Sequence, residues 1–215
     1  MTIIVTEALA LREQNYGLLK AMIASRLGRT NLGDVIPDFV ALAESRLYTG
    51  SRDFDGTVAP LRLTQMLATE SQSLAALPAG FLSLERLTVN DGAGMRPLSY
   101  VTPERFAELA PTGFARFYTF QDGGIAVEGG HPDNFVMSYY RRFPALAGDG
   151  DTNWLLDNCP SAYLYAALIE AYAHLKDDAR IPLAARMYAS AVNGLIDADS
   201  EMRHSGSTLV IGSAR

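Results

Sequence analysis

Hydrophobic positions give the chain three textures: helical at both ends and strand-like between. Tyr16 to Leu27 sets Leu18, Leu19, Met22, Ile23 and Leu27 at helical spacing, with Gly28 and Asn31 as a stop. Asp34 is placed to cap a second helix carrying Phe39, Val40, Leu42, Ala43 and Leu47, which fades near Tyr48 and Gly50. Toward the other end, Pro160 suits a first helical turn, where its missing N–H costs nothing, and Asp157 and Asn158 offer capping oxygens. Leu164, Ala167, Leu168, Ala171, Tyr172 and Leu175 then share one helix face. After a turn over Lys176 to Arg180, Pro182 opens a last helix in which Ala184, Met187, Tyr188, Ala191, Val192 and Leu195 repeat the spacing. Two matched apolar faces predict a helical hairpin whose core holds Trp154, Leu164, Leu168, Tyr188 and Leu195.

From Leu61 to Pro144, Gly and Pro punctuate short β-branched and aromatic runs, as strands and turns do. Leu63 to Ala68 and Glu70 to Leu77 read as strands. Arg86 to Asn90 and Met95 to Tyr100 flank a turn at Asp91 to Gly94, and Arg116 to Gln121 and Ile125 to Glu128 flank Asp122-Gly123-Gly124. Phe135 to Phe143 is the best single strand, while Thr102-Pro103-Glu104 opens a short helix that Pro111 stops. The expected fold is α+β: a helical core from N- and C-terminal helices with an inserted antiparallel β subdomain. Its parts are 1–60, 61–144, 145–204 and an extended tail, 205–215.

Composition changes this picture little. The chain of 215 residues is 48% hydrophobic and 20% charged, ordinary for a globular protein, and its apolar runs are too short to span a membrane. The N-terminus lacks the pattern of a secretory signal, and the single cysteine, Cys159, fits a reducing cytoplasm and a packing role. The net charge of −6 is uneven, with −1 over residues 1–60, −1 over 61–144 and −4 over 145–215. Only Arg141-Arg142 and Arg26 with Arg29 cluster positive charge, too little for a phosphate-gripping surface.

Chemistry finds little purchase. Asp149-Gly150-Asp151-Thr152-Asn153 begins like a calcium loop, but Trp154 stands where glycine is needed and Pro160 where a bidentate glutamate belongs, which favours a solvated acidic linker. His131, His174 and His204 lack metal-ligand spacing. No nucleophile elbow or phosphate-cradling glycine loop is present, so neither catalysis nor a cofactor is expected; a carboxylate pair assembled by folding needs no fixed spacing and stays open. Tyr163, Tyr165, Tyr172 and Tyr188 read as amphipathic core or interface residues. Asp197, Asp199 and Glu201 oppose the dipole at the end of the last helix, either as a solvated face or as a face with a use. Beyond that helix, Leu209, Val210 and Ile211 form a β-prone triplet between Gly206 and Gly212, within Ser205 to Arg215, a tail suited to docking, fraying or folding back.

The C-terminal stretch resembles that of tailed-bacteriophage head-to-tail adaptor (connector) proteins. The resemblance rests on Asn153-Trp154-Leu155-Leu156, Pro160, Tyr163-Leu164-Tyr165, Ala167-Leu168, Glu170-Ala171 and Leu175-Lys176-Asp177-Asp178, then Tyr188, Ala191, Leu195, Asp199, Ser205-Gly206 and Leu209. The first helix pair, Tyr16 to Tyr48, is also similar to that family. The middle matches more loosely, through Leu77-Pro78, Phe81-Leu82, Leu98, Tyr100 to Phe106, Tyr139-Tyr140 and Pro144. The resemblance implies a structural protein of the virion neck, made in the host cytoplasm and assembled as a homo-oligomeric, usually dodecameric, ring on the portal protein. Such a ring extends the DNA channel without binding DNA specifically and presents a surface to the next tail protein. In that setting Asp197, Asp199 and Glu201 would face the channel and repel phosphate, and Ser205, Gly206, Leu209, Val210, Ile211 and Arg215 would dock on the portal or a neighbouring copy. A stopper or tail-completion ring, and a cell-wall hydrolase, are the competing expectations.

Overall fold

A computed structural model describes residues 14–29, 31–53, 56–71, 77–90, 94–109, 115–129 and 135–205. The fold is α+β. Its elements are α1 (Tyr16–Leu27), α2 (Ile36–Thr49), β1 (Ser51–Asp53), β2 (Gly56–Val58), β3 (Leu67–Ser71), β4 (Phe81–Asn90), β5 (Met95–Pro97) and β6 (Ser99–Tyr100). They continue with α3 (Pro103–Ala107), β7 (Phe117–Gln121), β8 (Gly124–Val127), β9 (Phe135–Arg141), α4 (Trp154–Asn158), α5 (Pro160–His174) and α6 (Ile181–His204). The chain forms two compact units, 1–61 with 144–215, and 62–143.

In the first unit α1, α2, α4 and α6 all pack on α5. That central position explains a departure from the amphipathic expectation: besides Leu164, Ala167, Leu168, Ala171 and Tyr172, α5 also buries Ala162, Tyr163, Ala166 and Ile169. A helix covered on several sides loses its polar face, and its four buried alanines let neighbouring backbones approach. On α6, Ala184, Tyr188 and Val192 face the core as expected, but Met187 is 41% exposed and Ala185 is buried instead. Trp154 and Leu195 are half-buried, and the deep positions of α4 are Leu155 and Leu156.

The helix ends are held by different residues from those expected in two cases. Asn15 caps α1 by accepting from Leu18 N at 2.8 Å, and Gly28 closes it at φ 62°. The expected cap Asp34 does not hold α2, whose cap position is Val35, without a side-chain bond. Asp157 and Asn158 do not cap α5 because they belong to α4, a helix of five residues capped by Asn153. The end of α2 carries a further feature, an antiparallel ribbon of β1 and β2, within a part read from sequence as helical. Gly50 makes that corner: at φ 76°, a Cβ there would stand 2.7 Å from Val58 O and 2.9 Å from Pro60 N.

The second unit holds a four-stranded antiparallel sheet, β3-β9-β4-β5, and a three-stranded sheet, β6-β7-β8, in which β6 and β7 run parallel. Cross-strand pairs Leu87↔Met137 and Val89↔Phe135 lie on the buried face, with Tyr139 beside Leu84. Ile125, Leu98 and Ala115 complete the same cluster. The two strands expected across Leu63 to Leu77 are in the structure a single-turn 3-10 helix at Thr64–Met66 followed by β3, residues 72–76 lying outside the described residues. Met95 to Tyr100 is not one strand either. Pro97 has no N–H for the ladder, and after Leu98 donates to Leu87 O at 2.9 Å the chain crosses to the other sheet, where Ser99 N donates to Arg116 O at 2.9 Å. The expected hairpin between β7 and β8 is present with a turn one residue shorter than expected: Asp122 and Gly123, both at positive φ, 53° and 74°, make a two-residue loop, and Gly124 is already in β8, paired with Gln121.

Candidate assembly surfaces

The segment preceding α5 is fixed by a polar pin. Asn153 is 5% exposed; its Oδ1 accepts from Leu156 N, and its Nδ2 donates to Pro144 O and to the Tyr163 hydroxyl, each at 3.0 Å. The Tyr163 hydroxyl in turn donates to Glu44 Oε1 on α2 at 3.2 Å. Burial raises the Tyr163 pKa far above the ordinary phenol range, with Tyr48 and Glu44 adding to the rise, so the hydroxyl acts as a structural donor. A second tie joins α2 and α5, where Arg46 donates to Glu170 Oε1 through Nε at 3.1 Å and through its terminal nitrogen at 2.7 Å.

Asp149 to Asn153, the stretch that starts like a calcium loop, serves the start of α1. Tyr16 N and Gly17 N donate to the carbonyls of Asp151 and Asp149, at 2.8 and 2.9 Å, and Lys20 pairs with the Asp149 carboxylate. Asp151 Oδ2 accepts from Gly148 N at 2.7 Å and Ala147 N at 2.8 Å, which holds its carboxyl below the usual range. Two of the loop's three side-chain oxygen donors of greatest interest for a cation, Asp151 and Asn153, thus already serve backbone N–H groups.

The acidic residues of α6 do not form one surface. Asp197 and Glu201 are exposed, whereas Asp199 is 6% exposed and accepts from Arg203 Nε at 2.8 Å. Spacing explains the split, since residues two apart on a helix point nearly opposite ways. Arg203 and His204 occupy the last turn and offset the unfavourable dipole. Ser205 is exposed at the end of α6, its N donating to Glu201 O and its hydroxyl to Met202 O. Gly206, Leu209, Val210, Ile211 and Arg215 lie outside the described residues.

Two surfaces were not anticipated from sequence. In the first unit, a groove of about 240 Å³ runs between Tyr165, Leu168 and Tyr172 of α5 and Leu183, Ala184 and Met187 of α6, with Arg26 and Arg180 also lining it. In the second unit, Phe81, Tyr100, Tyr118 and Phe120 stand around an open groove of about 520 Å³, their ring centroids 5.7–6.3 Å apart in the close pairs. The signal for the first lay in Leu183 and Met187, i and i+4 on a face displaced from the Tyr188 and Val192 stripe.

A protein-family model described as SU10 adaptor protein matches residues 14–211, a span that takes in both units. No curated protein matches the chain.

Proposed function

Because this chain belongs to the SU10 adaptor protein family, we propose that its adaptor role is exercised in the virion neck, as a ring below the portal that extends the DNA channel and docks the tail. The match over nearly the whole chain carries this reading. The two-unit fold supports it: a helical unit tied by the Asn153–Tyr163–Glu44 pin is a stiff body, suited to transmitting load rather than to closing around a substrate. The partners are the portal protein, further copies of the chain in a dodecamer, and the next tail protein, with DNA passing through unbound. Asp197 and Glu201, as exposed acids, are the residues available to face a channel; Asp199 is buried in the pair with Arg203.

The tail supplies the attachment. Leu209, Val210 and Ile211 add as a strand to a sheet edge of the portal, or of a neighbouring copy, dropping alternate side chains into its surface. Cryo-electron microscopy of the virion neck tests the reading directly: a ring of this chain seated against the portal is expected, and its placement farther down, below another ring, would make it a stopper instead. Deleting residues 205–215 should leave the melting temperature unchanged and abolish attachment to portal-bearing capsids. Wild-type attachment by the truncated, folded protein would remove the docking role of the tail.

A further inference from the structure

Strand β4 has ten residues, and its two sides are unequally used. On one side β9 pairs along it from Phe81 to Val89; on the other, β5 pairs with Thr88, Val89 and Asn90 alone. After Leu98 N donates to Leu87 O the chain leaves for the β6-β7-β8 sheet, so among the described residues no strand lies along Leu82 to Arg86 on that side. The groove of about 520 Å³ follows this edge: Phe81, Leu82 and Leu84 line it from β4, and Tyr100, Tyr118 and Phe120 from β6 and β7. Tyr118 and Phe120, two apart on one strand, share a face, and Tyr100 stands in register with Tyr118. Tyr100 is 52% exposed and Phe120 38%. Open edges are ordinarily blunted by charge or proline, yet Phe81 to Leu84 carry neither, and no charged residue lines the groove. Bulges after Phe81 and Leu84 leave Leu82 and Glu85 outside the β9 register, and Leu82 is turned to the groove.

An unpaired edge beside an apolar, uncharged groove suits an extended, apolar, uncharged segment, which takes main-chain hydrogen bonds from the edge and buries alternate side chains. We infer that its occupant is Ser207 to Gly212 of a second copy of this chain, with Leu209 and Ile211 toward the aromatic rings and Val210 away from them. Three features select that segment. From Gly206 to Ala214 it carries no charge, as the groove does not. Its apolar triplet is β-prone. Ten residues follow Ser205, which at about 3.3 Å each reach roughly 33 Å, enough to lay six along the edge and keep a linker. Thr2 to Thr6 is β-prone as well, but it is bounded by Glu7 and serves as the control. Each copy offers one groove and one tail, so the contact repeats head to tail from copy to copy. The inference rests on the reading of the tail as a docking strand, and it names the edge that receives it, on a neighbouring copy instead of the portal.

Fluorescence anisotropy of a labelled peptide of residues 205–215, titrated with the full-length protein, tests it. Binding should saturate, and should weaken at least tenfold with Leu209→Asp or Ile211→Asp in the peptide, or with Tyr100→Lys or Phe120→Lys in a protein that melts as wild type. Strand pairing has its own signature, because successive N–H groups point to opposite sides of a strand: N-methylation at Leu209 and at Val210 should have unequal effects. Equal effects, indifference to both lysine variants, or tighter binding of a peptide of residues 1–13 would overturn the assignment. So would a Cys159→Ser, Phe120→Cys, Ile211→Cys chain that closes its disulfide as a monomer at high dilution, since the groove would then hold the chain's own tail. Absence of peptide binding, with attachment to capsids still lost on deleting residues 205–215, refutes this groove and leaves the docking tail. Peptide binding by a protein whose truncated form attaches normally leaves the groove contact and removes the attachment role.

Discussion

Lys176 occupies the left-handed region at φ 57°, where it ends α5: Asp177 N reaches back to Tyr172 O at 2.9 Å, the six-to-one bond of a Schellman motif usually built around glycine. A side chain in that conformation costs about 1 kcal/mol that glycine avoids. Lys176→Gly is therefore expected to stabilise the protein by about 0.5–1 kcal/mol, read as a higher denaturant midpoint at unchanged slope. Asp151 gives a prediction of the opposite kind. Its carboxyl pKa is depressed by the N–H groups of Gly148 and Ala147, so its stabilisation is fully present above the ordinary carboxylate range and is lost as pH falls through the lower folded value. Asp151→Asn should flatten the acid limb of stability between roughly pH 5 and pH 2; equal slopes in the two proteins would show that the loop does not depend on the charge. The sequence marks Lys176 only as the start of a turn and Asp151 only as part of an acidic linker. Asn15 precedes a clear helical period and caps it, whereas Asp34, a good capping residue, lies one position too early, because a cap depends on the dihedral angles of its own residue and not on composition alone.

At the scale of elements, long periodic segments were legible, and short ones only where a cap or a turn marked them, as Thr102 and Pro103 mark α3. Both helices of the hairpin carry a proline in the first turn, Pro160 and Pro182, as the pattern implied, since tertiary packing reinforces what the spacing already dictates. The ribbon of β1 and β2 has three residues per strand, too few to show an alternation. The change of sheet after Pro97 depends on which partner a backbone finds, information that lies in distant strands. Leu168, on the most enclosed helix, is 2% exposed. Replacing it with alanine should cost about 2–5 kcal/mol, toward the upper part of that range where neighbours cannot collapse into the space. A thermal melt checks this, and an unchanged midpoint would remove Leu168 from the core.

For the whole molecule, assembly is expected to depend on its platform. Among the described residues no helix carries an extended coiled-coil seam, and weak contacts between copies become effective once a preformed ring concentrates them. Light scattering on the isolated protein should report mainly monomer, with rings appearing on portal; stable rings in its absence would contradict this. Surfaces of that kind are the least legible part of a sequence. The family could be read from Asn153, Tyr163 and the helix pattern because they build the fold, whereas the groove beside Arg26 exists only after α1, α5 and α6 have been brought together.

That one unit is spliced into the other also sets an order of events during synthesis. Residues 62–143 are contiguous and can condense as soon as they clear the ribosome, but α1 and α2 need α5, which is completed on the order of 120 residues after α2 ends. At about 5–20 residues per second, Leu19, Ile23, Phe39 and Leu47 then wait roughly 6–25 s for the helix that covers them. Over that interval these side chains have no core to enter, and the first helix pair is the part of the nascent chain open to misassembly.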